Sequence, residues 1–333
     1  MKIKFKRITA LFAALAIMIT ALPLTIIPIS AAGTDGESTE YSSDGYLIVR
    51  SYQQLRLAYN GSEESKIRLG ADIDCDPEEY KPNYLTRLCP PIESDKTLDL
   101  AGYTLKKTGN SIDSKDHLLS VQYSKLTIED SVGTGKMYFY AKDVAQNLFL
   151  AENRSTIVIN GGTFCYTGTN AMYCEMIKLS ASDLVINDGY FDAQIGTPIK
   201  LDNGFAGGQG TLNSTALING GTIVTTSSIE ISSIDGCAYY ASLVMAGGTI
   251  TNKSKGRVTD KTGTIISDPY FVRVKGDEAL QNKYYNITLL GGTMPLSPND
   301  INVYYPADKA VLTSKAGTIT NSAEKVEYTT LLT

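Results

Sequence analysis

Three aspartates at alternate positions, Asp72, Asp74 and Asp76 in "ADIDCDPEE", are a dense set of hard oxygen ligands. On an extended strand this spacing puts the carboxylates on one side, where they could hold Ca²⁺. The segment lacks the glycine and distal glutamate of an EF-hand loop, and a solvated strand face is the plainer account of the same charges. Asp130 and Asp188 are the only carboxylates that suggest a hydrolytic pair. They hold the same position in repeats two copies apart, roughly 10 Å at strand spacing, near the separation of an inverting glycosidase. Both also stand where a turn-favouring residue belongs, which explains them without chemistry. The single histidine, His117 in "SKDHLLSV", reads as an exposed loop residue. No serine or cysteine nucleophile has a histidine within sequence reach, and no phosphate loop is present. No catalytic residue and no cofactor is assigned.

Aromatic side chains offer a different chemistry. Tyr138, Tyr140, Tyr239 and Tyr240 lie near strand or loop positions, with Asp, Asn and Thr close by. A tyrosine joins an apolar ring to a polar tip and suits a sugar ring; it is also simply a good strand residue. The chain has 21 Tyr and no Trp.

The elements that would position these groups come from a repeat. "TIVINGGTFCYTG" at 156–168 recurs as "DLVINDGYFDAQ" at 183, "TALINGGTIVTT" at 215, "SLVMAGGTITNK" at 242 and "NITLLGGTMPLS" at 286. With the second apolar residue of each copy as position 0, the register runs Leu100, Ile128, Ile159, Ile186, Ile218, Met245 and Leu289. Spacings of 27 to 32 residues, with one of 44, indicate a solenoid. Positions −2 and 0 share one side of a strand, Gly at +2 and +3 turns a corner, and +5 faces inward again on a second strand. This register places Leu105, Gly133, Phe164, Phe191, Ile223, Ile250 and Met294 at +5. A lone coil cannot bury its apolar row, so coils must stack.

Position +1 holds Asn160, Asn187 and Asn219 in consecutive coils, spaced to form an amide ladder up the stack. Position −1 reads Asp99, Thr127, Val158, Val185, Leu217, Val244 and Thr288. Its apolar middle is either covered by loops of the 31- and 32-residue coils or is a contact surface. Neither outward column carries an acid, Lys or Arg between Asn160 and Ala246, so this face offers nothing for acid–base catalysis.

Ahead of the repeats, "RSYQQLRLAYNG" carries a Ser51–Gln54 capping-box pattern, an apolar Leu55–Tyr59 pair and a terminating Gly61. It predicts a short helix that caps the open end of the stack. The domain plan is a signal peptide over 1–32, a linker over 33–43 and a β-helix over 44–320. Within that β-helix, 44–75 form the cap and first strand, 96–296 the main coils, and polar residues 252–269 an insertion; 321–333 are a tail. "AVLTSKAGTIT" at 310–320 reads as a degenerate last coil or a cap.

The N-terminus has Lys2, Lys4, Lys6 and Arg7 before an apolar run and a small-x-small site at Ser30-Ala31-Ala32, the pattern of a secretory signal peptide. An uncleaved anchor is the rival, weakened by Pro23 and Pro28. Cleavage removes those four basic residues and leaves 26 Lys and Arg against 35 Asp and Glu, a net charge of −9. That balance argues against nucleic acid and anionic membrane as partners. The five cysteines are Cys75, Cys89, Cys165, Cys174 and Cys237. Cys75–Cys89 and Cys165–Cys174 are the nearest pairs for disulfides, and five buried thiols are the alternative.

"KTLDLAGYTL" at 96–105, "SKLTIEDSVGTGKM" at 124–137 and the "INGGTF" copies resemble secreted bacterial proteins of the right-handed parallel β-helix, pectin-lyase-like superfamily. The resemblance covers roughly residues 44 to 320. It implies an all-β right-handed solenoid. It does not imply one reaction, because that superfamily contains lyases, hydrolases, adhesins and proteins without known activity. The paired aspartates, Gly-His-Gly and Arg-x-Lys segments of its pectin hydrolases are missing here. The expectation is a secreted or cell-surface protein that binds polysaccharide or another surface polymer without turning it over. A divergent polysaccharide lyase or hydrolase and a self-associating structural protein are the alternatives.

Overall fold

In the computed structural model the described residues are 39–75, 88–109, 117–142, 145–169, 174–203, 213–233 and 240–254, with short pieces at 258–259, 265–267, 272–275, 284–290, 292, 310–314 and 328–329. Three parallel sheets wind into a β-solenoid. Sheet 1 runs Leu47–Val49, Lys66–Leu69, Lys96–Asp99, Lys125–Glu129, Thr156–Ile159, Asp183–Ile186, Ser214–Ile218, Tyr240–Met245, Tyr284–Leu289, Ala310–Ser314 and Tyr328–Thr329, with Glu40–Tyr41 antiparallel at its edge. Sheet 2 runs Ile73–Asp74, Thr104–Thr108, Lys136–Ala141, Thr163–Gly168, Tyr190–Ala193, Thr222–Thr225 and Thr249–Asn252. Sheet 3 runs His117–Gln122, Asn147–Glu152, Glu175–Ser180, Thr197–Asn203, Ile229–Ser233 and Val272–Lys275. The chain visits the sheets in the order 1, 2, 3, making about five uninterrupted turns from Lys96 to Ser233. The next turn carries a small antiparallel hairpin, Val258–Thr259 with Ile265–Ser267. The strand Ala310–Ser314 adds to sheet 1 in register, with Leu312 beside Ile287.

The period-two pattern explains sheets 1 and 2. Ile157, Ile159, Leu184, Ile186, Ala216, Ile218, Leu243 and Met245 are buried, and the residues between them are half-buried. Phe164 and Phe191 stack in the interior with centroids 4.7 Å apart, the offset contact that aromatic rings favour. Sheet 3 does not alternate. Leu118, Leu119, Leu148, Phe149, Met176 and Ile177 are all buried, so both faces of this sheet are covered.

The first coils correct the sequence register. Leu98, not Leu100, pairs with Ile128, and Asp99 pairs with Glu129. Asp99 therefore belongs to the +1 column that continues to Asn160, and not to −1. Met137, not Gly133, lies beside Leu105 and Phe164. The cause is corner length. Five residues separate position 0 from the sheet 2 core residue in later coils (Ile159 to Phe164), but seven from Leu98 to Leu105 and nine from Ile128 to Met137. The extra residues loop outward at the corner and leave the core columns intact.

Helix α1, Tyr52–Asn60, covers the start of the stack. Ser51 caps it, accepting from the Gln54 amide at 3.2 Å, and Tyr52, Leu55, Ala58 and Tyr59 join the core. Gly61 ends it in extended backbone, its amide bonded to the Leu57 carbonyl. A buried lysine locks the helix down: Lys96 Nζ donates to the carbonyls of Ala58 (3.2 Å), Gly61 (2.6 Å) and Glu64. A cation at a helix C-terminus meets its orphan carbonyls and the negative end of its dipole. Burial lowers the Lys96 pKa, with Glu64 opposing.

Candidate functional site

The sheet 1–sheet 2 corner carries a polar column. Asn187 Nδ2 donates to Asn160 Oδ1 at 2.8 Å, and Asn219 Nδ2 to Asn187 Oδ1 at 2.9 Å. All three side chains are exposed. Toward the N-terminus the same column becomes ionic. Arg68 gives Nε to Asp99 at 2.7 Å and forks both Nη groups onto Asp44 at 2.9 and 2.8 Å. Asp99 is fully buried and also accepts from the Ala101 amide and from the amide and hydroxyl of Ser131. Burial would raise its pKa, but the Ser131, Arg68 and Ala101 donors hold it below the usual carboxylate range. Tyr46 lies under the Arg68 guanidinium, 4.3 Å from ring centroid to Cζ, and bonds Glu129 at 2.5 Å. Burial and the Glu129 carboxylate push its hydroxyl up to about 12. Each acid in this network accepts from at least one protein donor, and the buried Asp99 from several, which suits structure better than turnover.

The carboxylates suggested by sequence are likewise occupied. Asp130 accepts from the Gly102 amide (2.8 Å) and the Gly135 amide (2.6 Å), tying the long corners of the first two full coils together. Asp188 is exposed and accepts from the Gly189 amide. Asp72 accepts from the Thr104 amide at 2.7 Å, and Asp74 pairs with Lys106 at 2.9 Å. Asp76 lies outside the described residues. Among the described residues no three His, Cys, Asp or Glu side chains group as metal ligands. His117 departs from expectation: it is the first residue of a sheet 3 strand and is buried, because it shares the strand side of core residues Leu119 and Val121. Its carbonyl accepts from the buried Lys107 Nζ at 3.1 Å. Cys75, Cys89, Cys165 and Cys174 form no disulfide among the described residues, and Cys237 lies outside them.

The tyrosines divide. Tyr138 and Tyr140 lie on one strand of sheet 2, on its outer side; Tyr240 opens a strand of sheet 1, and Tyr239 lies outside the described residues. The structure therefore does not join the two pairs. It sets Tyr138 and Tyr190 on the same outer face of sheet 2, 37% and 42% exposed. They are two coils and one alternate position apart, roughly 12 Å. Lys136 is exposed on that face beside Tyr138, and the half-buried Asp192 lies beside Tyr190. Thr104, Thr163, Thr222 and Thr249 complete the column of Lys136 and Tyr190. The sequence signal for Tyr190 was its place directly after the +3 glycine, where the other copies keep Thr.

A second polar group sits on sheet 3. Lys200 Nζ lies 3.1 Å from Glu175 Oε1 and 3.5 Å from Glu230 Oε1, on strands either side of its own. Asn147 Nδ2 donates to the other Glu175 oxygen at 3.1 Å. Burial opposes the charge, but Glu175, Glu230 and Asp202 together hold the Lys200 ammonium above the usual lysine range. A lysine held protonated and buried cannot serve as a proton abstractor.

Sequence reasoning also missed a serine ladder. Ser94, Ser124, Ser155, Ser182 and Ser214 stand four residues before position 0 in successive coils. The Ser155 and Ser182 hydroxyls meet at 3.1 Å, and the Ser94, Ser155 and Ser182 amides donate to the hydroxyl one coil on. The recurrence was readable, but serine before a strand passes for a turn residue. No family model, no curated protein and no solved structure matches this chain.

Proposed function

We propose that the chain is an exported β-helix protein of the pectin-lyase-like kind that binds polysaccharide, or another extended surface polymer, along the outer face of sheet 2 without turning it over. The carrying observation is the pair of exposed rings, Tyr138 and Tyr190, on one parallel sheet. Flat aromatic faces with polar neighbours suit successive sugar rings, and roughly 12 Å between them matches every second or third unit of an extended glycan. Support for binding over catalysis comes from Asp72, Asp130 and Asp188, which accept from backbone amides, from Asp74, which pairs with Lys106, and from a central lysine kept protonated. The N-terminal pattern of Lys2 to Ala32 supports export.

Affinity electrophoresis against polygalacturonate, alginate and hydroxyethylcellulose tests this reading. At least one polymer should retard the chain, and Tyr138→Ala with Tyr190→Ala should abolish the retardation. No product should be released with or without Ca²⁺. Retardation unchanged in the double variant, retardation by none of the polymers, or product release would each overturn the assignment.

A further inference from the structure

Two of the repeats share an identical stretch, "INGGT", at Ile159–Thr163 and Ile218–Thr222. An Asn–Gly step can cyclise: the glycine nitrogen attacks the asparagine Cγ, the side-chain amide leaves as ammonia, and water opens the succinimide to aspartate or isoaspartate. The rate depends on three things that a fold controls. The glycine N–H must be free to lose its proton, the asparagine nitrogen must be free to leave, and a donor to Oδ1 stabilises the oxyanion.

The structure sets these three differently at the two sites. From the fourth full coil onward, the +2 amide donates to the position 0 carbonyl of the coil before. Asp188 bonds Ile159 at 3.4 Å, Gly220 bonds Ile186 at 3.3 Å and Gly247 bonds Ile218 at 3.1 Å. Gly161 makes no such bond among the described residues; the Ile128 carbonyl before it accepts from the Asn160 amide at 2.9 Å. Asn160 is also the free end of the amide ladder. Its Oδ1 accepts from Asn187, while its own Nδ2 donates to nothing among the described residues. Asn219 is the reverse case, with its Nδ2 donated to Asn187. At a third step, Asn60–Gly61, the Leu57 carbonyl holds the attacking Gly61 amide, although the Cys89 amide on Asn60 Oδ1 is an activating contact.

We propose that Asn160–Gly161 is a site of spontaneous deamidation, activated by the Asn187 amide, and that Asn219–Gly220 is protected by the same ladder. The product places a new carboxylate on the exposed corner, next in the column to Glu129. Isoaspartate also adds a backbone methylene where the chain must turn.

The test is peptide mass spectrometry of the intact folded chain after incubation in mildly alkaline buffer. Aspartate and isoaspartate should accumulate at position 160 about tenfold faster than at 219, the rate equivalent of one lost hydrogen bond. In concentrated urea the two identical stretches should react at equal rates. Asn187→Ala should narrow the folded-state ratio from both sides, slowing 160 and freeing 219. Equal rates in the folded chain, faster reaction at 219, or a ratio that persists in urea would overturn the proposal.

Discussion

At the residue scale, the polar groups of the corner columns are answered by protein partners, and what a partner is worth depends on burial. Asp99 is the sharpest case. Its pKa is depressed in the fold, so it contributes stability at pH above the unfolded value near 4 that is lost as pH falls through the folded value. Thermal unfolding followed from neutral to acid pH should therefore show a steep loss below about pH 4, and Asp99→Asn should flatten it while lowering stability at neutral pH. An unchanged acid slope would remove Asp99 from the account. The two ladders make the complementary point. Ser182 is buried and Asn187 is exposed, so water can replace the partners of the second but not of the first. Ser182→Ala should cost about 1–3 kcal/mol in urea unfolding, and Asn187→Ala about 1 kcal/mol or less. A larger loss for Asn187→Ala would mean that the exposed ladder holds the stack.

At the element scale, the corners decide the coil. Gly221 and Gly133 both have left-handed backbone, at φ of 80° and 86°. A Cβ on Gly221 would stand 2.7 Å from the Gly189 carbonyl oxygen of the preceding coil, whereas a Cβ on Gly133 meets nothing within 4 Å. Both alanine variants should pay the left-handed cost of about 1–2 kcal/mol, but only Gly221→Ala must also push coils apart. Its loss of stability should be clearly the larger, and equal losses would show that φ alone imposes the glycine. The same corner geometry explains the long excursions in the first two full coils. A corner may lengthen outward at little cost to the core columns, because the strands on either side stay in register.

At the scale of the whole molecule, stability is shared along the stack, since each coil completes the core of its neighbours. Ile159 is fully buried in this shared core, and Val158, next to it, faces outward and is half-buried. Ile159→Asp should abolish folding, as read by circular dichroism, because an unpaired charge cannot be solvated there. Val158→Asp should fold with a reduced melting temperature. Equal loss in both would mean that the apolar stripe from Val158 to Val244 lies under cover as complete as the core. Sheet 3 is the contrasting face: covered on both sides, it carries its charges as a set, with Lys200 between Glu175 and Glu230. The outer face of sheet 2 presents Tyr138 and Tyr190 to solvent, and for that reason it is the face proposed for polymer binding.

The sequence by itself determined the coil. A buried row at alternate positions, a glycine corner and a return at a constant interval leave no compact arrangement but a stack, and the repeated Asn at one register puts like amides next to each other. Local pattern could not reveal what depends on partners about thirty residues away. The two-residue shift at Leu98, the burial of His117 and the lysines driven into the interior at Lys96 and Lys107 follow from corner lengths and from which carbonyls lie opposite. Neither leaves a trace at neighbouring positions, because alternation records only which side of a strand a residue takes. The division of the tyrosines between sheets, which selects the candidate surface, was decided in the same way. Only the winding of the three sheets brings Tyr138 and Tyr190 onto one face and puts the strand of Tyr240 in another sheet.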